Sequence, residues 1–180
     1  MKKSGSRREG KMQVSFTRVL AASVAVIIIA LFGAAAEAQQ LAKSGKYTGK
    51  YATHRVGAQT YELEKGHVFL LGSNHGVFLN DVADSFLDKT EVNCPFAVDI
   101  VDGVSTGAHG YCIMTDKDDD KAFLVWQGKG IAPGSNAGTF QWTGGTGKFS
   151  GLQGNNTWHG SFIGKTTASS VVWEGEWRLP

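Results

Sequence analysis

Proline and cysteine are both scarce in this 180-residue chain, at three and two residues. With so little proline, no low-complexity tract and no internal repeat, a Pro-rich linker protein and a repeat solenoid are excluded. No stretch after Ala38 sustains a 3.6-residue apolar period, so no helix is expected there. Neither a Gly-x-Ser-x-Gly elbow nor a phosphate loop occurs, which removes two common signatures of nucleophilic and nucleotide chemistry. The five histidines, His54, His67, His75, His109 and His159, and the two cysteines show no metal-ligand spacing. Each histidine therefore reads as a surface or loop residue, and neither a metal nor a cofactor is expected.

The first forty residues are of another kind. Lys2, Lys3, Arg7, Arg8, Lys11 and Arg18 precede an apolar stretch from Val19 to Ala36, the order of a positive n-region and an h-region. Ala36-Glu37-Ala38 then offers small side chains three residues and one residue before a cut after Ala38. This predicts a cleaved signal peptide over residues 1–38 and a mature domain over 39–180. The competing reading is an uncleaved anchor, since eighteen mostly apolar residues approach the roughly 20 that span a bilayer. Membrane association is expected only through such a leader. Ser6-Arg7-Arg8 hints at a twin-arginine signal, but no apolar residues follow the pair at the expected place, which favours ordinary Sec export. Met12 is an alternative start that would leave a leader of normal proportions.

Removing the leader reverses the charge. Six of the 18 basic and two of the 16 acidic residues precede Gln39, leaving 12 against 14 and a mature net charge of about −2. The basicity belongs to targeting, so nucleic acid is not an expected partner. Both cysteines, Cys94 and Cys112, fall in the exported part, where an even count predicts a bridge and a periplasmic or secreted location fits. Closing that interval would stabilise the fold by about 3 kcal/mol in the chain-entropy account. Two free buried thiols are the alternative.

The mature part holds 21 of the 24 glycines. Much glycine with many aromatics and no helical period predicts short strands and tight turns. Candidate strands are 46–54, 60–71, 76–80, 96–101, 110–115, 121–127, 138–143, 157–163 and 169–178. Eight or nine strands on short loops form a sandwich or, with fewer exposed edges, a closed antiparallel β-barrel. The expected fold is thus all-β, a single closed barrel of about eight strands. Two strands are apolar on both faces: in Ala122-Phe123-Leu124-Val125-Trp126 the odd positions oppose the even ones, and Val68-Phe69-Leu70-Leu71 does the same. A barrel needs only its inner face apolar, so a homo-oligomer contact or a terminal segment is expected over part of the outer wall.

The segment Gly144-Gly145-Thr146-Gly147-Lys148-Phe149-Ser150-Gly151-Leu152-Gln153-Gly154 resembles the Gly-Gly-Thr-Gly-x-Phe-x-x-x-x-Gly signature of dirigent proteins and the related allene oxide cyclase barrels. Gly144, Gly145, Gly147, Phe149 and Gly154 stand at the matching positions. The stretch from Gly110-Tyr111-Cys112 to Trp126 also looks like uncharacterised exported bacterial proteins of that barrel type. The resemblance implies a fold, with glycines forming a turn and Phe149 anchoring the returning strand. It assigns no catalytic residue. Asn155-Asn156-Thr157 fits a glycosylation sequon, but both the leader and the resemblance look bacterial, so it carries no weight.

Two further features bear on chemistry. Asp116-x-Asp118-x-Asp120 resembles the start of a calcium loop. Lys121 replaces the glycine at its sixth position and Gln127 the glutamate at its twelfth, which favours a solvated hairpin turn. All five tryptophans lie in the C-terminal third. Trp158 and Phe162 share one strand face, and so do Trp173 and Trp177. These four and Trp142 are the candidate ligand-binding residues, lining an aromatic lumen for a small hydrophobic molecule. Ordinary core packing is the competing reading. The leading expectation is a barrel that binds a small apolar or aromatic molecule or supports a cell-envelope assembly. The alternative that the resemblance implies is an isomerase or cyclase acting on a small hydrophobic substrate. A carboxylate or a tyrosine would move the proton, and the reading turns on whether Glu62, Glu64, Asp99, Glu174 or another acid points into an aromatic cavity.

Overall fold

Along residues 47–53 every second side chain is buried, with Tyr47, Tyr51 and Thr53 on one face and Thr48, Lys50 and Ala52 exposed on the other. That two-residue period is the mark of a strand with one dry face. In the computed structural model, residues 41–131 and 134–180 are described; the expected leader, residues 1–38, and its cut after Ala38 lie outside the described residues. Eight strands follow one another: β1 (Ser44–Glu64), β2 (His67–Asn80), β3 (Thr90–Val101), β4 (Val104–Thr115), β5 (Lys121–Ile131), β6 (Ser135–Gly145), β7 (Gly154–Phe162) and β8 (Ala168–Arg178).

Each strand pairs antiparallel with the next. β8 returns to β1, from Ser44 opposite Arg178 to His54 opposite Ala168. The ring is a closed barrel, not a sandwich, so every strand gains partners on both sides and no long edge is left to aggregate. Among the described residues no helix is long and apolar enough to cross a membrane. The only helical turn there is a three-residue 3-10 turn, Gly147–Phe149.

The barrel of about eight strands expected from sequence is found, and the ninth candidate segment disappears because residues 60–71, which look like one continuous run, are divided between two strands. The chain reverses within that run at Lys65-Gly66, where Gly66 has φ +82°. Its first half ends β1 and its second half opens β2, with Glu64 opposite His67. β2 then continues unbroken through the separate candidate strand at 76–80.

The up-and-down order gives the barrel two different ends. The β1–β2, β3–β4 and β7–β8 connections, 65–66, 102–103 and 163–167, lie at one end. Longer connections over 81–89 and 146–153, with the turn at 116–120, lie at the other. From these longer connections Phe86, Leu87, Phe149 and Leu152 turn inward and are buried. They join Tyr47, Phe78, Phe140, Trp142 and Trp177 in one core cluster. That end is therefore plugged. Phe86 alone meets Tyr47, Trp142, Phe149 and Trp177 at centroid separations of 5.2, 5.7, 6.2 and 4.4 Å.

The 144–154 segment folds as a turn with Phe149 in the core. Gly144, Gly147 and Gly154 adopt positive φ, and Gly145 does not. Gly145 is needed for closeness instead: a Cβ there would stand 2.4 Å from the Lys121 carbonyl oxygen and 2.6 Å from Phe149 Cβ. The acidic β4–β5 connection is a hairpin turn. Asp116 Oδ1 accepts the backbone N–H of Asp118 (2.8 Å) and of Asp120 (3.1 Å). The Lys148 ammonium lies 2.5 Å from Asp116 Oδ2 and 2.8 Å from Asp118 Oδ2, where a calcium loop would hold its cation.

Candidate functional site

The unplugged half of the lumen contains a cavity of about 140 Å3. Its wall is mostly apolar: Leu70 on β2, Phe96, Val98 and Ile100 on β3, Ala108 on β4, Leu124 and Trp126 on β5, Phe140 on β6, Trp158 and Phe162 on β7, and Val171 and Trp173 on β8. Alternation explains most of these positions, because each run keeps one parity along its strand. Cys94 and Cys112 sit in the same wall at disulfide distance, Sγ to Sγ 1.94 Å, and tie β3 to β4.

Wide rings fit because glycines face them. Trp158 lies across Gly128 so closely that a Cβ there would stand 2.3 Å from Cζ2. Gly110 gives Trp126 the same room, with its Nε1 2.8 Å from where a Cβ would be. The two indoles meet edge to face, centroids 5.6 Å apart and planes at 86°. Trp158 also donates its Nε1–H to the Gln127 carbonyl at 3.2 Å.

Tyr51, Arg55, Asn74, Ser105, Asn136, Ser161 and Ser169 also line this wall, and the pairing of its polar groups is uneven. The Tyr51 hydroxyl donates to the Asn74 carbonyl at 2.7 Å and lies 3.0 Å from Thr53 Oγ1. Burial pushes its pKa up to about 12, against a smaller lowering by the Thr53 contact. Arg55 Nε, Ser105 Oγ and Trp126 Nε1 are shielded from solvent and have no hydrogen-bond partner. Three such groups on one cavity call for explanation, because leaving a buried donor unpaired costs about 1–3 kcal/mol.

Arg55 is the most informative of the three. It continues the inward parity of Tyr47, Tyr51 and Thr53 on β1. Its Cζ stands 5.7 Å from the Phe96 ring centroid and 5.4 Å from that of Phe162. Those rings belong to β3 and β7, each two places from β1 around the barrel. The side chain therefore extends over the lumen and not along its own wall. Cation–π attraction holds it there, while burial lowers its pKa. Among the described residues no carboxylate pairs with it, and the residues lining the cavity include no Asp, Glu or His.

Of the residues named from sequence, Trp158, Phe162 and Trp173 border the cavity. Trp142 and Trp177 lie in the plugged half, packed with Phe140 and Phe86 respectively. Trp173 belongs to both regions: it borders the cavity and stacks on Phe78 at 5.3 Å. The acids considered for proton transfer are elsewhere. Glu62, Glu64 and Glu174 are exposed, and Asp99 meets His67 at 3.2 Å on the outer face. Arg55 and Ser105 were not anticipated. For Arg55 the signal was there in the β1 alternation. Ser105 is turned inward by a bulge between Asp99/Gly107 and Ile100/Ser105 in the β3–β4 pairing, which no pattern in the sequence marks.

Fold and cavity together define a small closed barrel with one plugged end and an arginine at its open half. No protein-family model matches the chain, and no curated protein matches it. Among solved structures it is similar to the pterocarpan synthase dirigent protein GePTS1, at 12% identity over 78% of this chain and 93% of that one, with a TM-score of 0.48. At that identity nothing of the other protein's activity transfers.

Proposed function

We propose that this chain is an exported binding protein that holds one small apolar or aromatic molecule in the open half of its barrel, in the periplasm or outside the cell. The observation that carries this reading is the cavity itself: about 140 Å3, walled by rings and aliphatic side chains. A dry apolar cavity of about 150 Å3 is enough to take up benzene, so the volume suits a single six-membered ring. A barrel of eight strands is also about the size at which a lumen holds one small ligand. The Cys94–Cys112 pair supports the oxidising location.

The isomerase or cyclase reading is less well supported. The cavity offers one phenol, Tyr51, whose hydroxyl is engaged and whose pKa lies near 12, far from an operating pH. The test of binding is a titration of the purified protein with small neutral and charged aromatics, followed by tryptophan emission and calorimetry. Saturable one-to-one binding supports the reading. No binding by any of them overturns it.

The outer wall supports a second proposal, contact with another copy of the chain. Tyr111 and Ile113 on β4 face outward at 62% and 39% exposure. They lie opposite Val125 and Phe123 of β5. A symmetric dimer or ring would cover such a patch with its own like surface, without a partner of different chemistry.

A further inference from the structure

We propose that the ligand of this barrel is an anion, a monocyclic carboxylate whose ring fills the lumen and whose carboxylate is held by Arg55. This rests on the binding reading above and adds charge and size to it.

Three observations lead there. The first is the position of Arg55, extended over the lumen between Phe96 and Phe162 with Nε shielded and unpartnered. A guanidinium does not give up its proton, and this half-buried one keeps its Nε away from both water and any acceptor, so an incoming anion gains a charge-assisted pair there. A neutral ligand gains no such pair, and a cationic ligand adds repulsion. The second is the sign of the remaining unsatisfied groups. Trp126 Nε1 is a donor only, and Ser105 Oγ is free to donate. Asn74, Asn136, Ser161 and Ser169 also line the cavity and can each donate or accept. Arg55 and Trp126 can only donate, so the groups of fixed sign favour an oxygen anion. The third is capacity. One arginine supplies one positive charge, which matches a monoanion better than a phosphate ester, and about 140 Å3 leaves room for one ring.

Benzoate, benzamide and benzamidine are close isosteres with charges of −1, 0 and +1, so they separate charge from shape. The full chain is expressed in a host that exports it, and the protein recovered from that compartment is titrated with each by calorimetry. Benzoate should bind about tenfold tighter than benzamide, as a charge-assisted pair at a half-buried guanidinium would give. Benzamidine should bind weakest. Arg55→Gln should abolish the preference of the protein for benzoate over benzamide, and Arg55→Lys should keep part of it. A cross-check needs no variant: the Trp126 indole N–H resonance of the native protein should shift with benzoate more than with benzamide. Equal binding of benzoate and benzamide would sink the anion proposal while the binding reading stood. Failure of all three ligands would remove both. If Arg55→Gln does not fold, a native protein that prefers benzoate without a shift of the Trp126 N–H still counts against the site as drawn.

Discussion

Phe86 lies flat on Trp177, ring centroids 4.4 Å apart and planes within 5° of parallel. One ring comes from a connection between strands and the other from the last strand, so this stack closes the barrel at the end opposite the cavity. Phe86→Ala should cost about 3–5 kcal/mol of stability, the usual toll of truncating a buried aromatic. Ligand affinity, measured well below the melting temperature, should change little. A variant that keeps its stability but loses binding would show that the plugged half, and not the open half, holds the ligand.

The acidic turn gives a pH dependence. Lys117 and then Lys148 hydrogen-bond to Asp118 and pull its carboxyl down to about 2. A folded-state pKa below the unfolded value near 3.9 means a contribution present above about pH 4 and lost as the pH falls toward 2. The carboxyl is exposed, so salt should weaken the effect. A carboxyl-carbon NMR titration should place the Asp118 midpoint near 2, and Lys117→Met with Lys148→Met should return it to the ordinary range. An ordinary midpoint in the native protein would disprove the pairing.

Much of this architecture is readable in the residues. The alternation in 122–126 gives the inner and outer faces of β5 correctly, with Ala122 and Leu124 buried inside and Phe123 and Val125 half-buried outside. The glycine segment gives the turn and the inward Phe149. Strand parity, however, reports a face and not a depth. Trp142 and Trp158 both point inward, and only the pairing register, Gly154 opposite Trp142 but Trp158 opposite Gly138, puts them in different halves. The β1–β2 hairpin was hidden because Lys65-Gly66 is only a two-residue turn, with Tyr61 and Leu63 before it and Val68 and Phe69 after it reading as one strand. Arg55 was hidden by its charge: arginine on a strand is usually a surface residue, and here two phenylalanines hold it over the lumen.

The leader and the bridge are tested by one measurement. Intact mass of the protein recovered from the host's export compartment should correspond to a chain beginning near Gln39, lighter by two daltons than the reduced form, with the deficit vanishing on reduction. A full-length, membrane-bound chain would contradict the cleavage. Two thiols that alkylate without reductant would contradict the Cys94–Cys112 bond.

Self-association has its own test. Phe123→Glu or Val125→Glu should shift the native mass by light scattering from oligomer to monomer, with the circular dichroism of the barrel intact. These side chains face away from the lumen, so ligand affinity should survive. A native protein that is monomeric across a wide concentration range would remove the proposal.

The two tryptophans at the cavity separate binding from packing. Trp158 is half-buried, seated against Gly128 and hydrogen-bonded to the Gln127 carbonyl. Trp173 also borders the cavity, but it packs on Tyr51, Phe78 and Phe140 at 5.3, 5.3 and 5.2 Å and is almost wholly buried. Trp158→Ala should therefore weaken ligand binding by more than it weakens folding, since it removes a cavity wall while leaving the plug intact. Trp173→Ala should reduce both, with a stability loss of about 3–5 kcal/mol. Filling the seat instead of emptying it gives the converse: in Gly128→Ala the new methyl meets Trp158 Cζ2 and, at 2.7 Å, the Ala137 carbonyl oxygen. The indole must move into the cavity or the strands must part, at a cost of about 1–3 kcal/mol, and affinity should fall. Chemical denaturation read beside calorimetric titration on the same three proteins gives the answer. If Trp158→Ala and Gly128→Ala both stay folded and bind as the native protein does, the ligand does not lie against Trp158, and the lumen site as described here is wrong.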